Sequence, residues 1–157
     1  MTFKREERLK SEKIITQLFR KGHSFACYPL RLVYAEIPTE IPPLSITADF
    51  DVLEAFETPQ NKDTTTSPKP SSPIQFALSV PKKAFKRAVD RNVLRRRIRE
   101  AYRLHKIDLY RFLENTPSQA DKRFAFMVLY TAKEDMPYSE IEKGVKKMIR
   151  KFKAEFQ

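Results

Sequence analysis

Only two glycines, Gly22 and Gly144, occur among the 157 residues, and they stand far apart. Glycine is the residue that lets backbone approach a phosphate closely or take a positive φ without steric cost. A P-loop needs two glycines and a lysine within one short loop, and a dinucleotide-binding turn needs three closely spaced glycines. A KH module needs a paired-glycine loop, and an RRM carries glycines among its sheet aromatics. None of these can be assembled here. Any phosphate this chain holds must therefore be held by side chains.

The charge balance makes phosphates the natural partner. Lys and Arg number 31 against 20 Asp and Glu, a formal net charge of +11. A chain this positive concentrates polyanions around itself, with nucleic acid foremost. With 41% hydrophobic residues it is a folding chain of one domain and one modest core, not a basic tail. The single cysteine, Cys27, excludes an internal disulfide framework and a multi-cysteine zinc site, and reads as a plain packed or half-buried residue. His23 and His105 are too distant in sequence to suggest a metal pair, and no Ser/His/Asp or Cys/His grouping suggests a nucleophilic triad. No stretch approaches the ~20 apolar residues that span a bilayer. The charged start, Met1 to Arg8, is not followed by the apolar run of a secretory signal. A soluble cytoplasmic protein is the expectation, with no membrane partner.

Residues 6–21 read as a first helix, with Leu9, Ile14, Ile15, Leu18 and Phe19 on one stripe and Gly22 where a C-terminal cap would stand. Residues 28–34 read as a strand with Leu30, Leu32 and Tyr34 on one face. Composition then changes. Glu36 to Pro73 holds seven of the 11 prolines and seven acids against two lysines. Residues 58–73 have almost no apolar content and predict a mobile loop, whereas Leu44 to Phe56 suit a short strand or helix. This acidic, proline-rich insertion, at about 37–73, interrupts a single domain spanning 1–157. Outside it the chain carries a net +16.

Residues 74–80 form a second predicted strand, and the two strands flanking the insertion predict a hairpin with an enlarged turn. Residues 123–131 are apolar on both faces and predict a central third strand. A closing helix over 139–156 has its stripe in Ile141, Val145, Met148, Ile149 and Phe152, and Ser139 with Glu142 suits a capping box.

The most informative stretch is Lys82 to Lys106, with eleven Lys or Arg against Asp90 and Glu100. It has no glycine or proline and predicts a helix over about 87–105. At ~100° per residue, Leu94, Ile98, Ala101 and His105 face the core. Asn92, Arg95, Arg96, Arg99 and Arg103 gather on a different side, flanked by Arg91 and Arg97. A merely solvated face mixes signs so that i,i+4 pairs form. This one is almost purely cationic, and arginine suits bidentate phosphate contacts. Asn92 reads equally as a reader of a base or 2′-hydroxyl and as a brace for its neighbours. Strands on both sides argue against a helix-turn-helix on DNA and for single-stranded or structured RNA.

At these residues the chain resembles the bacterial ribonuclease P protein component. That family's signature joins a strand ending in Lys-Lys or Lys-Arg to a helix carrying Arg-Asn-Arg, then Ile/Leu-Lys-Arg, then Arg-Glu-Ala/Ser-Phe. Here the run stands as Leu78-Ser79-Val80-Pro81-Lys82-Lys83, Arg91-Asn92-Val93-Leu94-Arg95-Arg96 and Arg99-Glu100-Ala101-Tyr102-Arg103. Arg8-Leu9-Lys10 and Leu18-Phe19-Arg20-Lys21-Gly22 match as well, and the insertion lies outside the pattern. Val93 replaces the signature's second arginine, and Ile15 stands where many members carry an aromatic.

The resemblance implies an α+β fold: a compact α/β sandwich with a small mixed sheet packed by helices and an unusual left-handed βαβ crossover (ribosomal protein S5 domain 2-like). It implies an endoribonuclease ribonucleoprotein in which a large RNA subunit, with Mg2+ held mainly by that RNA and the substrate, removes the 5′ leader of precursor tRNA. The protein would have no catalytic residue, hold no metal and need no stable protein partner. It would dock on the RNA subunit through Arg91, Asn92, Arg95, Arg96, Arg99 and Arg103, with Lys82 and Lys83 adding phosphate contacts. Phe19 and Tyr34 would line a leader cleft between the first helix and the sheet. Two rivals are a generic RNA-binding or ribosome-assembly protein without a role in cleavage, and a protein-only nuclease. The latter needs clustered carboxylates, which are concentrated in the insertion.

Overall fold

The strand expected at the centre of the sheet is at its centre. The computed structural model describes residues 7–37, 72–118 and 122–156. Among them run α1 (Glu12–Lys21), β1 (His23–Cys27), β2 (Leu30–Ile37), β3 (Ile74–Ser79), α2 (Ala88–Asn115), β4 (Arg123–Tyr130) and α3 (Tyr138–Ala154). The sheet order is β1-β2-β4-β3, with β2 antiparallel and β3 parallel to β4. Since side chains alternate along a strand, β4 supplies two cores. Phe124, Phe126, Val128 and Tyr130 face α2 and α3, while Ala125, Met127 and Leu129 face α1. Aromatic rings fill the first core. Phe152 of α3 meets Phe126 at 4.8 Å and Tyr34 at 5.0 Å, both edge-on.

The enlarged hairpin is not formed. β2 and β3 each pair with β4, which lies between them. A strand apolar on both faces belongs in the middle of a sheet, and that demand outweighs the sequence adjacency that suggested the hairpin. β1 escaped the sequence reading because an edge strand of five residues with only Cys27 fully buried carries too short an alternation to stand out. Glu36 and Ile37 belong to β2, and Ser72 and Pro73 are already built into the fold. Pro73 O accepts from Phe124 N–H at 2.9 Å, and Ser72 Oγ donates to Ile74 O at 3.0 Å. Residues 38–71, with the expected loop and the expected short element around 44–56, lie outside the described residues.

Helix limits moved for identifiable reasons. α1 begins at Glu12, not near residue 6, because the segment before it lies along β3. Leu9 N–H donates to Phe76 O at 3.0 Å, and Arg8 bridges Phe76 in parallel register. α2 runs past His105 because the buried stripe of Leu94, Ile98, Ala101 and Tyr102 continues through Lys106, Leu109 and Leu113. It stops where Pro117 makes Thr116 unfavourable for helix. The capping box at the start of α3 is not formed: Pro137 is the N-cap, and Glu142 turns instead to His105 and Lys146, each at 2.9 Å.

Gly22 does end α1, but without a left-handed turn, since its φ is −74°. It is there for close approach. A Cβ would lie 2.1 Å from Leu18 O and 3.0 Å from Tyr34 O, both backbone atoms. Gly22→Ala is expected to lose about 1–3 kcal/mol through this overpacking, measured as a lower urea midpoint with unchanged m-value.

Candidate nucleic-acid interface

α2 owes its burial on one side to the apolar stripe, so its remaining side must carry whatever the helix offers to a partner. Asn92, Arg96 and Arg99 are exposed there and Arg95 is half-buried. Arg95 Nη1 donates to Asn92 Oδ1 at 3.5 Å, the outer limit of a hydrogen bond, so the contact is compatible with a brace. Burial, and after it the nearby charges of Arg8 and Arg95, hold the Arg99 guanidinium below its ordinary range. Arg95, Arg96 and Arg99 have no carboxylate partner among the described residues. Lys82 and Lys83 are exposed in the turn between β3 and α2.

Arg97 and Arg103 are engaged by the protein. Arg103 donates to Glu100 at 2.6 and 2.8 Å, and that bond raises its guanidinium above the ordinary range. Arg97 Nη1 reaches Asp135 Oδ1 at 2.6 Å and Met136 O at 3.0 Å, tying α2 to the segment before α3.

Arg91 is turned inward. It is 7% exposed, and its Nη1 donates to Phe85 O and Lys86 O, each at 2.8 Å. The reason was in the spacing, because Arg91 precedes Leu94 and Ile98 at i+3 and i+7 and shares their buried side. Lys106 is likewise inside. It is buried against Glu7, with Nζ 2.7 and 2.8 Å from the two carboxylate oxygens.

Phe19 and Tyr34 are not brought together. Phe19 is half-buried on the α1 side of the sheet, beside Ile14, Ile15 and Val33. Tyr34 points to the other side, where it packs among Phe25, Phe126 and Phe152 and is 4% exposed. The two-residue period decides this: the β2 residues facing α1 are Val33, Ala35 and Ile37. Tyr34 stacks on His23 at 5.6 Å and borders a recess of about 610 Å³ between the C-terminal ends of α1 and α3, lined also by Lys21 and Phe156. The expected cleft wall is therefore Phe19 with Val33, not Phe19 with Tyr34.

Sequence reasoning misses Arg8, which lies beside β3 and not in α1, within the electrostatic reach of Arg99. Cys27 is fully buried, and burial pushes its thiol pKa up, as suits a packed residue. Among the described residues no three His, Cys, Asp or Glu side chains gather as a metal ligand set, and no helix is long and apolar enough to cross a membrane.

Comparisons with known proteins converge. The family model for ribonuclease P matches residues 3–153. The ribonuclease P protein component of Chlorobaculum tepidum is 41% identical over 66 residues, 42% of this chain and 43% of that one. The ribonuclease P protein component of Porphyromonas gingivalis is 27% identical over 146 residues, 92% of this chain and 82% of that one. In fold, the solved RNase P protein of Staphylococcus aureus is similar at a TM-score of 0.54 and 20% identity, covering 96% of this chain and 98% of the other.

Proposed function

The chain belongs to the ribonuclease P protein family, and from that premise we propose that it is the protein subunit of a bacterial ribonucleoprotein that removes the 5′ leader of precursor tRNA. The observation that carries this reading is the row of Arg95, Arg96 and Arg99, cations on one side of α2 that no carboxylate among the described residues neutralises. Like charges at i,i+4 repel, and RNA phosphates relieve that repulsion while taking bidentate guanidinium contacts. The RNA subunit docks on this side of α2. Asn92 holds Arg95 in place, and Lys82 and Lys83 extend the contact around the helix start. Arg91 acts from inside, fixing the loop that carries Lys86, and Arg103 joins from the margin through its pair with Glu100.

The leader runs along the α1 side of the sheet, where Phe19 offers a half-exposed ring. Tyr34 contributes packing beneath the sheet instead. Phosphodiester hydrolysis would belong to the RNA subunit, which with the substrate would hold the magnesium that activates the attacking water. The residues described here do not fit a resident metal, and no step runs through one held by the protein.

Leader recognition is testable by binding. With bacterial ribonuclease P RNA, the complex is expected to hold precursor tRNA more tightly than mature tRNA, and Phe19→Ala to narrow that preference by ~1–3 kcal/mol, the worth of one stacked base. Equal affinity for precursor and mature tRNA would instead mark a generic RNA-binding protein.

A further inference from the structure

We infer that the outer side of α3 is a second RNA-binding surface, on which Lys147, Arg150 and Lys153 hold the phosphodiester backbone of a segment other than the one docked on α2. Which RNA supplies that segment rests on the ribonuclease P reading; the surface itself does not.

Between Glu142 and Glu155 stand six Lys or Arg and no acid. Ile141, Val145, Met148 and Phe152 take the inner side of α3 and are fully buried, so the cations are left to the outer side. Three of the six are engaged by the protein. Lys143 donates to Glu140 at 2.7 Å, Lys146 pairs with Glu142 at 2.9 Å, and Lys151 donates to Ala26 O at 3.0 Å. Lys147 and Arg150 are exposed and Lys153 is half-buried, its Nζ 5.8 Å above the Phe112 ring. These three have no carboxylate partner among the described residues. The helix dipole favours cations only within the last turn. That accounts for Lys151 and Lys153, but not for Lys147 and Arg150.

Arg150 and Lys153 also border a recess of about 440 Å³ between α3 and α2, together with His105, Asp108, Lys146 and Ile149. The recess fixes the direction in which this surface looks. Asp108 follows Arg99 by nine residues on α2, which at ~100° per residue puts the two on opposite sides of that helix. An RNA helix lying along the arginine row therefore does not reach the outer side of α3. A second segment is needed to meet it.

Charge complementarity selects the occupant. A basic helix that lies on an anionic membrane inserts an apolar face, and the apolar stripe of α3 is already inside the core. A phosphodiester backbone asks only for positive charge along a row. Lysine meets it as a point charge and arginine as a fork of donors. Binding also relieves the repulsion between like charges three and four residues apart on the helix.

The test uses the full chain and the variant Lys147→Gln with Arg150→Gln; both side chains are exposed, so folding should be little changed. Affinity is measured against salt for two probes, single-stranded poly(U) and ribonuclease P RNA. The slope of log affinity against log salt is expected to flatten by about one to two. Loss with the ribonuclease P RNA assigns the segment to that RNA, and loss with poly(U) alone assigns it to a separate strand. Adding Arg95→Gln with Arg99→Gln is expected to add its own loss, as independent surfaces require. A photo-cross-linker on Arg150→Cys, in the complex with ribonuclease P RNA and precursor tRNA, is expected to mark nucleotides different from those marked from Arg96→Cys. Cys27 is fully buried and does not compete for the label. Unchanged slopes with both probes overturn the proposal, and so does a cross-linker at position 150 that marks no RNA or the same nucleotides as one at position 96. A wild type that binds ribonuclease P RNA no more tightly than poly(U) sinks the ribonuclease P reading instead, and the poly(U) slope then decides the surface alone.

Discussion

Lys106→Met is expected to destabilise the fold by about 3–5 kcal/mol, because it removes the ammonium that meets both oxygens of the buried Glu7 carboxylate. That is a large part of the ~5–15 kcal/mol that holds a typical domain folded. Tyr110 can offer only a neutral hydroxyl, whose pKa burial pushes up to about 12, at 3.3 Å. Glu7→Leu combined with Lys106→Met is expected to return to within about 1–2 kcal/mol of the wild type or to exceed it, since a well-packed apolar pair often replaces a buried ion pair without loss. Urea unfolding of the three proteins measures both effects. If the single variant were as stable as the wild type, the pair would not be the buried, mutually dependent contact described here.

Arg95→Gln with Arg99→Gln is expected to weaken RNA binding and to flatten the log-affinity slope against log salt by about one to two. Both side chains lie on the solvent side of α2, so folding should be little changed. Arg97→Gln is the matched control. Its guanidinium is engaged by Asp135 and Met136 O, and its removal should leave the slope alone. A slope that stays put in the double variant would remove this side of α2 from the interface.

How much of this was legible in the sequence depended on whether a signal was local. The central place of β4 could be read because its residues are apolar on both faces, and the stripe of α3 because its period is regular over 17 residues. The cationic side of α2 was legible for the same reason. Arg91 shows the limit of reading residues by type: the family pattern marked it as an RNA contact, yet its spacing to Leu94 and Ile98 put it on the buried side. Tyr34 repeats the lesson with a two-residue period, since an aromatic was chosen where the α1 face belongs to Val33. Lys106 lay on the same stripe as Tyr102 and Leu109, but its burial made sense only with Glu7, ninety-nine residues earlier. No window of local pattern contains such a partner. The strand order was hidden likewise, because β3 meets β4 only after α2 has crossed between them.

Reconstitution decides whether this protein serves a tRNA 5′-processing ribonucleoprotein. The folded chain is added to a bacterial ribonuclease P RNA, and release of the leader from precursor tRNA is measured at a magnesium concentration too low for the RNA alone. The chain is expected to restore cleavage at the mature 5′ end, and Arg95→Gln with Arg99→Gln to restore much less. Tight RNA binding by intact, folded protein with no restored cleavage would contradict it.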